Sequence, residues 1–212
     1  MKEIFLYISI LLIFFSIYFI FSAEKDEIMG NSQRIFYIHL PSAIISYLSI
    51  TVGFFFSILY LRKKNDKYDK VAYCSVELSL VFCTLTLITG SIWAKATWGS
   101  YWRWEDMRLT TYLILWFIIL AYLLLRQNIA NGKGISGIYL LCGYLSVPLS
   151  YISIYIFRTY HPIVLSPGGG GISKFMYLPI LSSTIAFITF YIYIFLLRIE
   201  LENLRRFKWK MS

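Results

Sequence analysis

The chain has 212 residues, of which 58% are hydrophobic, 19% aromatic and only 15% charged. Soluble domains run at about 45–50% apolar and about 25% charged, so a water-soluble globular domain is excluded, and so is a disordered chain. The 20 Lys and Arg against 11 Asp and Glu give +9, which in so apolar a chain points to membrane sidedness and calls for no nucleic acid.

Six apolar stretches are long enough to cross a bilayer as helices: 4–22, 38–61, 73–94, 108–125, 135–157 and 175–197. Each approaches the roughly 20 residues that about 30 Å of hydrocarbon demands, and a helix satisfies its own backbone polar groups there. The expected fold is all-α: a single polytopic membrane domain over residues 1–212. The first stretch, opened by Lys2 and closed by Ser22-Ala23-Glu24, has the outline of a secretion signal. It is long for an apolar core of about 7–15 residues and is read as a retained helix. The second opens on Tyr37-Ile38-His39-Leu40-Pro41, with Pro41 expected in the first helical turn. Between the third and fourth lies a tryptophan-rich stretch. The fifth runs into Arg158-Thr159-Tyr160-His161-Pro162. The four glycines 168–171 precede Ile172-Ser173-Lys174 and lack the phosphate-loop arrangement; they read as a flexible loop. Cys74, Cys83 and Cys142 sit in apolar runs without C-x-x-C spacing and read as small apolar fillers.

The cations fix an orientation. The N-terminus, 62–72, 126–134 and the tail together hold 13 Lys and Arg; the alternate segments 23–37, 95–108 and 158–174 hold 7. The excess places both termini in the cytoplasm and the second set outside.

The unusual residues gather on that outer side. The two histidines, His39 and His161, both fall at membrane–water boundaries. A neutral imidazole is a strong iron ligand, and haem is often held by axial histidines. Trp93, Trp98, Trp102 and Trp104, four of the six tryptophans, lie within twelve residues. If that stretch is helical, Trp98, Tyr101 and Trp102 share one face and Trp104 lies elsewhere, giving an amphipathic segment in the interface. An aromatic belt is the plain alternative. Aromatic faces otherwise suit a large flat apolar ligand. Arg103 and Arg108 border the cluster, and arginine pairs with carboxylates in a bidentate fork. Glu105 and Asp106 can pair with them and order the loop, or be solvated.

These residues carry a resemblance. The run Trp98-Gly99-Ser100-Tyr101-Trp102-Arg103-Trp104-Glu105-Asp106-Met107-Arg108-Leu109-Thr110 resembles the tryptophan-rich "WWD" signature of haem-handling membrane proteins. The ending Arg108-Leu109-Thr110, the lead-in Thr89-Gly90-Ser91-Ile92-Trp93-Ala94-Lys95 and the contexts of His39 and His161 are similar to the CcmC branch, the haem exporter protein C of cytochrome c maturation. Two departures stand out. The family motif has one residue between its acid and the arginine, so either Glu105 or Asp106 is the acid here. Where the family often has tryptophans before the second histidine, this chain has Ile156-Phe157.

The resemblance implies a binding and handover protein. Haem b would be held non-covalently at the outer surface of the cytoplasmic membrane, with His39 and His161 as axial iron ligands. Trp98, Tyr101, Trp102 and Trp104 would form a ring platform, and Arg103 and Arg108 would contact the propionates. It further implies an ABC-type ATP-binding subunit, a second membrane subunit and a membrane-anchored haem chaperone that receives the cargo. No nucleophile–base pair is visible, so the chain reads as no enzyme. A haem lyase, a b-type cytochrome subunit and a structural membrane subunit without ligand are the alternatives. Haem lyases tend to be larger and richer in histidine. A two-haem b-type cytochrome needs more histidines, inside paired helices.

Overall fold

A computed structural model describes residues 2–26, 30–157 and 173–211. Among these, seven α-helices carry the architecture: α1 (Lys2–Ser22), α2 (Gln33–Lys63), α3 (Asp66–Trp98), α4 (Met107–Asn128), α5 (Gly132–Gly143), α6 (Ser146–Ile156) and α7 (Tyr177–Met211), the last preceded by a 3-10 turn at Lys174–Met176. Six stretches are long and apolar enough to cross a membrane: α1, α2, α3, α4, α5 continued into α6, and Lys174–Phe207. Each overlaps one of the six stretches expected from composition.

Three helices outrun the expected spans. At 31, 33 and 35 residues, α2, α3 and α7 exceed the length a bilayer requires and carry charged turns beyond it. The α2–α3 connection is correspondingly tight. Lys64 takes a left-handed conformation (φ 52°), and Asn65 caps α3 by accepting from the Lys67 N–H at 2.9 Å.

The expectation for Pro41 is corrected. Helix α2 begins at Gln33, so Pro41 lies in its interior. Its missing N–H leaves the carbonyl one turn earlier without its usual donor. The fifth stretch also differs from a single helix: α5 ends at Gly143 and α6 starts at Ser146, with Pro148 in its first turn. Tyr144 at the break stacks on Phe54 of α2 (4.0 Å, 16°) and its hydroxyl meets Thr51 Oγ1 at 2.9 Å.

The α2–α3 pair forms the centre. Ser42, Ser46, Ser49, Gly53 and Ser57 recur every three or four residues along α2 and are nearly all fully buried. Small side chains let two helices approach closely where no water drives them together. A Cβ added to Gly53 would stand 2.6 Å from Val76 Cγ2. The serines also donate across the seam: Ser49 Oγ to Ser75 O at 2.7 Å and Ser79 Oγ to Ser46 O at 2.9 Å. On one side α4 packs against α5 and α6, around Leu115, Ile119 and Tyr122. On the other, α1 lies along α7, joined by Ser16–Ser183 (2.8 Å) and a Lys2–Glu200 ion pair.

Candidate functional site

His39 stands in the second turn of α2, half-buried and facing α3. Its Nδ1 lies 3.1 Å from the Thr86 carbonyl oxygen and 3.3 Å from Thr89 Oγ1. A carbonyl only accepts, and the Thr89 hydroxyl already donates to Leu85 O at 2.7 Å. The proton therefore belongs on Nδ1, and Nε2 is the nitrogen with the lone pair. Gly90 makes this position possible, since a Cβ there would stand 2.7 Å from His39 Cε1. Trp93, one turn further along α3, lies nearly parallel to the imidazole (6.2 Å, 25°). It is itself wedged by Phe36 and Trp98, each 5.6 Å away.

His39 opens on a narrow cleft with about 390 Å³ of empty space. Ala43 shares its α2 wall, Thr86 and Gly90 line it from α3, and Arg108 and Tyr112 from α4. The Arg108 guanidinium forms no ion pair among the described residues. Leu87 separates this cleft from a second, shallow groove of about 890 Å³, bordered by Ile88, Ile92, Tyr101, Trp102 and Trp104. Trp102 and Trp104 meet edge to face at 5.6 Å. The Trp102 indole nitrogen is buried and has no hydrogen-bond partner among the described residues.

The tryptophan stretch is not the helix considered from sequence. Helix α3 stops at Trp98, where Gly99 takes a left-handed turn (φ 77°), and 99–106 is a loop. Side chains tie that loop down: Arg103 Nη2 donates to Trp98 O at 3.1 Å, Ser91 Oγ to Tyr101 O at 3.0 Å and Thr110 Oγ1 to Trp104 O at 3.0 Å. Of the two adjacent acids, Glu105 is exposed, while Asp106 is buried and caps α4 by accepting from the N–H groups of Arg108 (3.0 Å) and Leu109 (3.3 Å).

The expected platform accordingly divides. Tyr101, Trp102 and Trp104 border one groove, whereas Trp98 packs into the cluster around Trp93 and Phe36. Arg108 reaches the histidine cleft, and Arg103 reaches the loop backbone. His161 lies outside the described residues, as do Arg158 and the four-glycine run. Sequence reasoning passed over Trp93, Thr86 and Gly90 as site residues. The signal was present: on a helix they share the third stretch's outer end at spacings of three and four.

A family model described as heme exporter protein C matches residues 1–211. The chain belongs to the heme exporter protein C family. Among relatives, a putative cytochrome c biosynthesis ccmC-like mitochondrial protein of Marchantia polymorpha is 32% identical over 162 residues, covering 76% of this chain and 69% of that protein. A heme exporter protein C of Haemophilus influenzae is 30% identical over 197 residues (86% and 76%) and one of Bradyrhizobium diazoefficiens 29% over 189 (87% and 72%). Within this member of the heme exporter protein C family, Asp106 is the acid built into the fold and Glu105 is a surface residue.

Proposed function

We propose that this chain binds haem b at the external face of the cytoplasmic membrane and passes it to a membrane-anchored haem chaperone during cytochrome c maturation. The observation that carries the reading is the His39 environment. The Thr86 carbonyl holds the proton on Nδ1 and so presents Nε2 as the donor nitrogen, which is the second-sphere arrangement that orients histidine ligands and raises their basicity. The cleft it lines also holds the Arg108 guanidinium, a cationic partner for a propionate carboxylate. The neighbouring groove offers an aromatic, apolar border at Tyr101, Trp102 and Trp104 suited to a flat ring. His39 and His161 are the proposed axial ligands, and Trp98 and Arg103 act by shaping the loop. The relatives' names, heme exporter protein C and cytochrome c biosynthesis protein, agree with the cargo.

In this reading the chain makes and breaks no covalent bond. It works with an ABC-type ATP-binding subunit and a second membrane subunit, and the cation excess keeps both termini cytoplasmic. The test is the absorption spectrum and haem content of the purified protein, repeated with His39→Ala and with His161→Ala. Loss of haem and a shifted Soret band in both variants are expected. Unchanged content and spectrum in both would overturn the ligand assignment.

A further inference from the structure

The end of the bundle opposite His39 holds a second polar site. Asp69, in the first turn of α3, is 2% exposed. It accepts from Arg126 of α4 through both carboxylate oxygens and from Arg206 of α7 at 3.0 Å. Arg206 Nε also donates to Glu202 at 2.9 Å, and Arg198 bridges Glu202 and Glu77. Beside this network, where α3 and α5 begin and α4 ends, lies a half-open pocket with about 1170 Å³ of empty space. Four cations line it (Arg126, Lys133, Arg205 and Arg206) against two carboxylates, Asp66 and Glu202.

The four cations are not equivalent. Arg126 and Arg206 are pinned by Asp69 and act as fixed positive walls. Arg205 is 69% exposed and reaches Glu202 only at 3.7 Å, and Lys133 is 43% exposed with one bond, to Asp66 at 2.8 Å. A guanidinium carries five N–H donors and an ammonium three, so these two retain donors for an anion. The amides of Gln127 and Asn128 add polar lining. On α7, the exposed Leu201 lies one helical turn before Arg205, on the same face. The cationic recess therefore lies next to exposed apolar helix surface at the end of the spans.

We propose that this pocket binds the phosphate of an anionic phospholipid, its acyl chains lying along the exposed apolar surface of α7 beside Leu201. Basic pockets between spans on the cytoplasmic side suit such headgroups. The proposal is independent of the haem reading.

The test is native mass spectrometry of the full chain in detergent, titrated with phosphatidylglycerol, phosphatidylcholine and inorganic phosphate. Wild type is expected to retain phosphatidylglycerol over phosphatidylcholine. Arg205→Gln with Lys133→Gln, both outside the buried pairs, is expected to weaken that retention by about tenfold to thirtyfold. A control pair on the same end, Arg62→Gln with Lys67→Gln, is exposed and does not line the pocket; it is expected to leave retention within about twofold. Equal loss in the control pair, or no loss in the pocket pair, overturns the proposal. Inorganic phosphate binding as tightly as phosphatidylglycerol overturns the lipid and makes free phosphate the ligand.

Discussion

The two ends of the helical bundle use polar groups in opposite ways. At the Asp69 end, charges from α3, α4 and α7 close on one another across more than fifty residues of sequence, with Arg126 and Asp69 both nearly excluded from solvent. At the His39 end, the loop's polar contacts are local, a capping carboxylate and loop carbonyls taken up by neighbouring side chains, and the imidazole meets the Thr86 carbonyl from the next helix. Among the described residues, Arg108 forms no ion pair and the Trp102 N–H is buried without an acceptor. One end is locked by mutual satisfaction and holds the helices together. The other retains groups that a ligand can satisfy.

This contrast predicts a double dissociation. Replacing Asp69 by Ala leaves two guanidiniums facing a partly buried vacancy. Breaking such a pair costs about 3 kcal/mol or more, so the melting temperature in detergent should fall sharply, while protein that remains folded keeps its haem affinity. Replacing His39 by Ala should do the reverse, weakening haem binding by about a hundredfold or more, since even outer-sphere changes around a ligand cost 10–100-fold. Its melting temperature should stay close to wild type. Equal thermal losses in the two variants would break the division of labour.

Gly90→Ala sharpens the same comparison within a single helix. Alanine is favoured over glycine in a helix by about 1 kcal/mol, so α3 itself gains. The new Cβ, however, would stand 2.7 Å from His39 Cε1 and must rotate the imidazole off the Thr86 carbonyl. Haem affinity should fall by about tenfold while stability holds or rises. A variant that loses both together would mean that Gly90 serves packing and not the histidine.

Much of this was legible in the chain and some was not, for physical reasons. The six spans follow from hydrophobicity and length, because a helix satisfies its own backbone groups in lipid within a single segment. The break at Gly143–Ser146 was hidden within the fifth span, since apolar content does not change there; what changes is packing, with Tyr144 turned onto Phe54. The start of α2 was missed because Gln33 and Arg34 are polar and helical at once: Gln33 is buried and donates to Glu24 O. At the site, His39, Arg108 and the Trp102–Trp104 pair were read from residue type and motif. The role of Trp93 was not, because a tryptophan within an apolar run looks like core until its neighbour is known to be a histidine. The ion-pair end was invisible to a count of cations, which records sidedness and ignores the carboxylates of Asp69, Glu77 and Glu202 that organise it.

The two adjacent acids give a smaller, cleaner test. Asp106 caps α4 and Glu105 faces solvent. Asp106→Ala should cost about 0.5–2 kcal/mol and loosen the segment that carries Arg108. Glu105→Ala should stay within about 0.5 kcal/mol of wild type. Thermal unfolding of the pair, read beside haem content, decides whether the motif acid works as a cap. A larger effect from Glu105→Ala would assign the motif acid to the exposed residue.

The smallest expected effect is the most discriminating for the groove. Trp102→Phe keeps an aromatic ring against Trp104 and removes only the indole N–H and the second ring. Among the described residues that N–H is buried without an acceptor, and burying an unsatisfied donor costs about 1–3 kcal/mol. Its removal should therefore leave stability unchanged or slightly raised, since the lost ring contacts and the relieved donor oppose one another. If the N–H finds its acceptor on the cargo, haem affinity should fall by a few-fold, the range of a single hydrogen bond of about 1 kcal/mol. Trp104→Phe is the control, because Trp104 is 70% exposed and its N–H is not among the buried nitrogens without a partner. The variants should then separate in affinity and not in melting temperature. Equal affinities for both would reduce Trp102 to packing and return the aromatic groove to an interfacial belt.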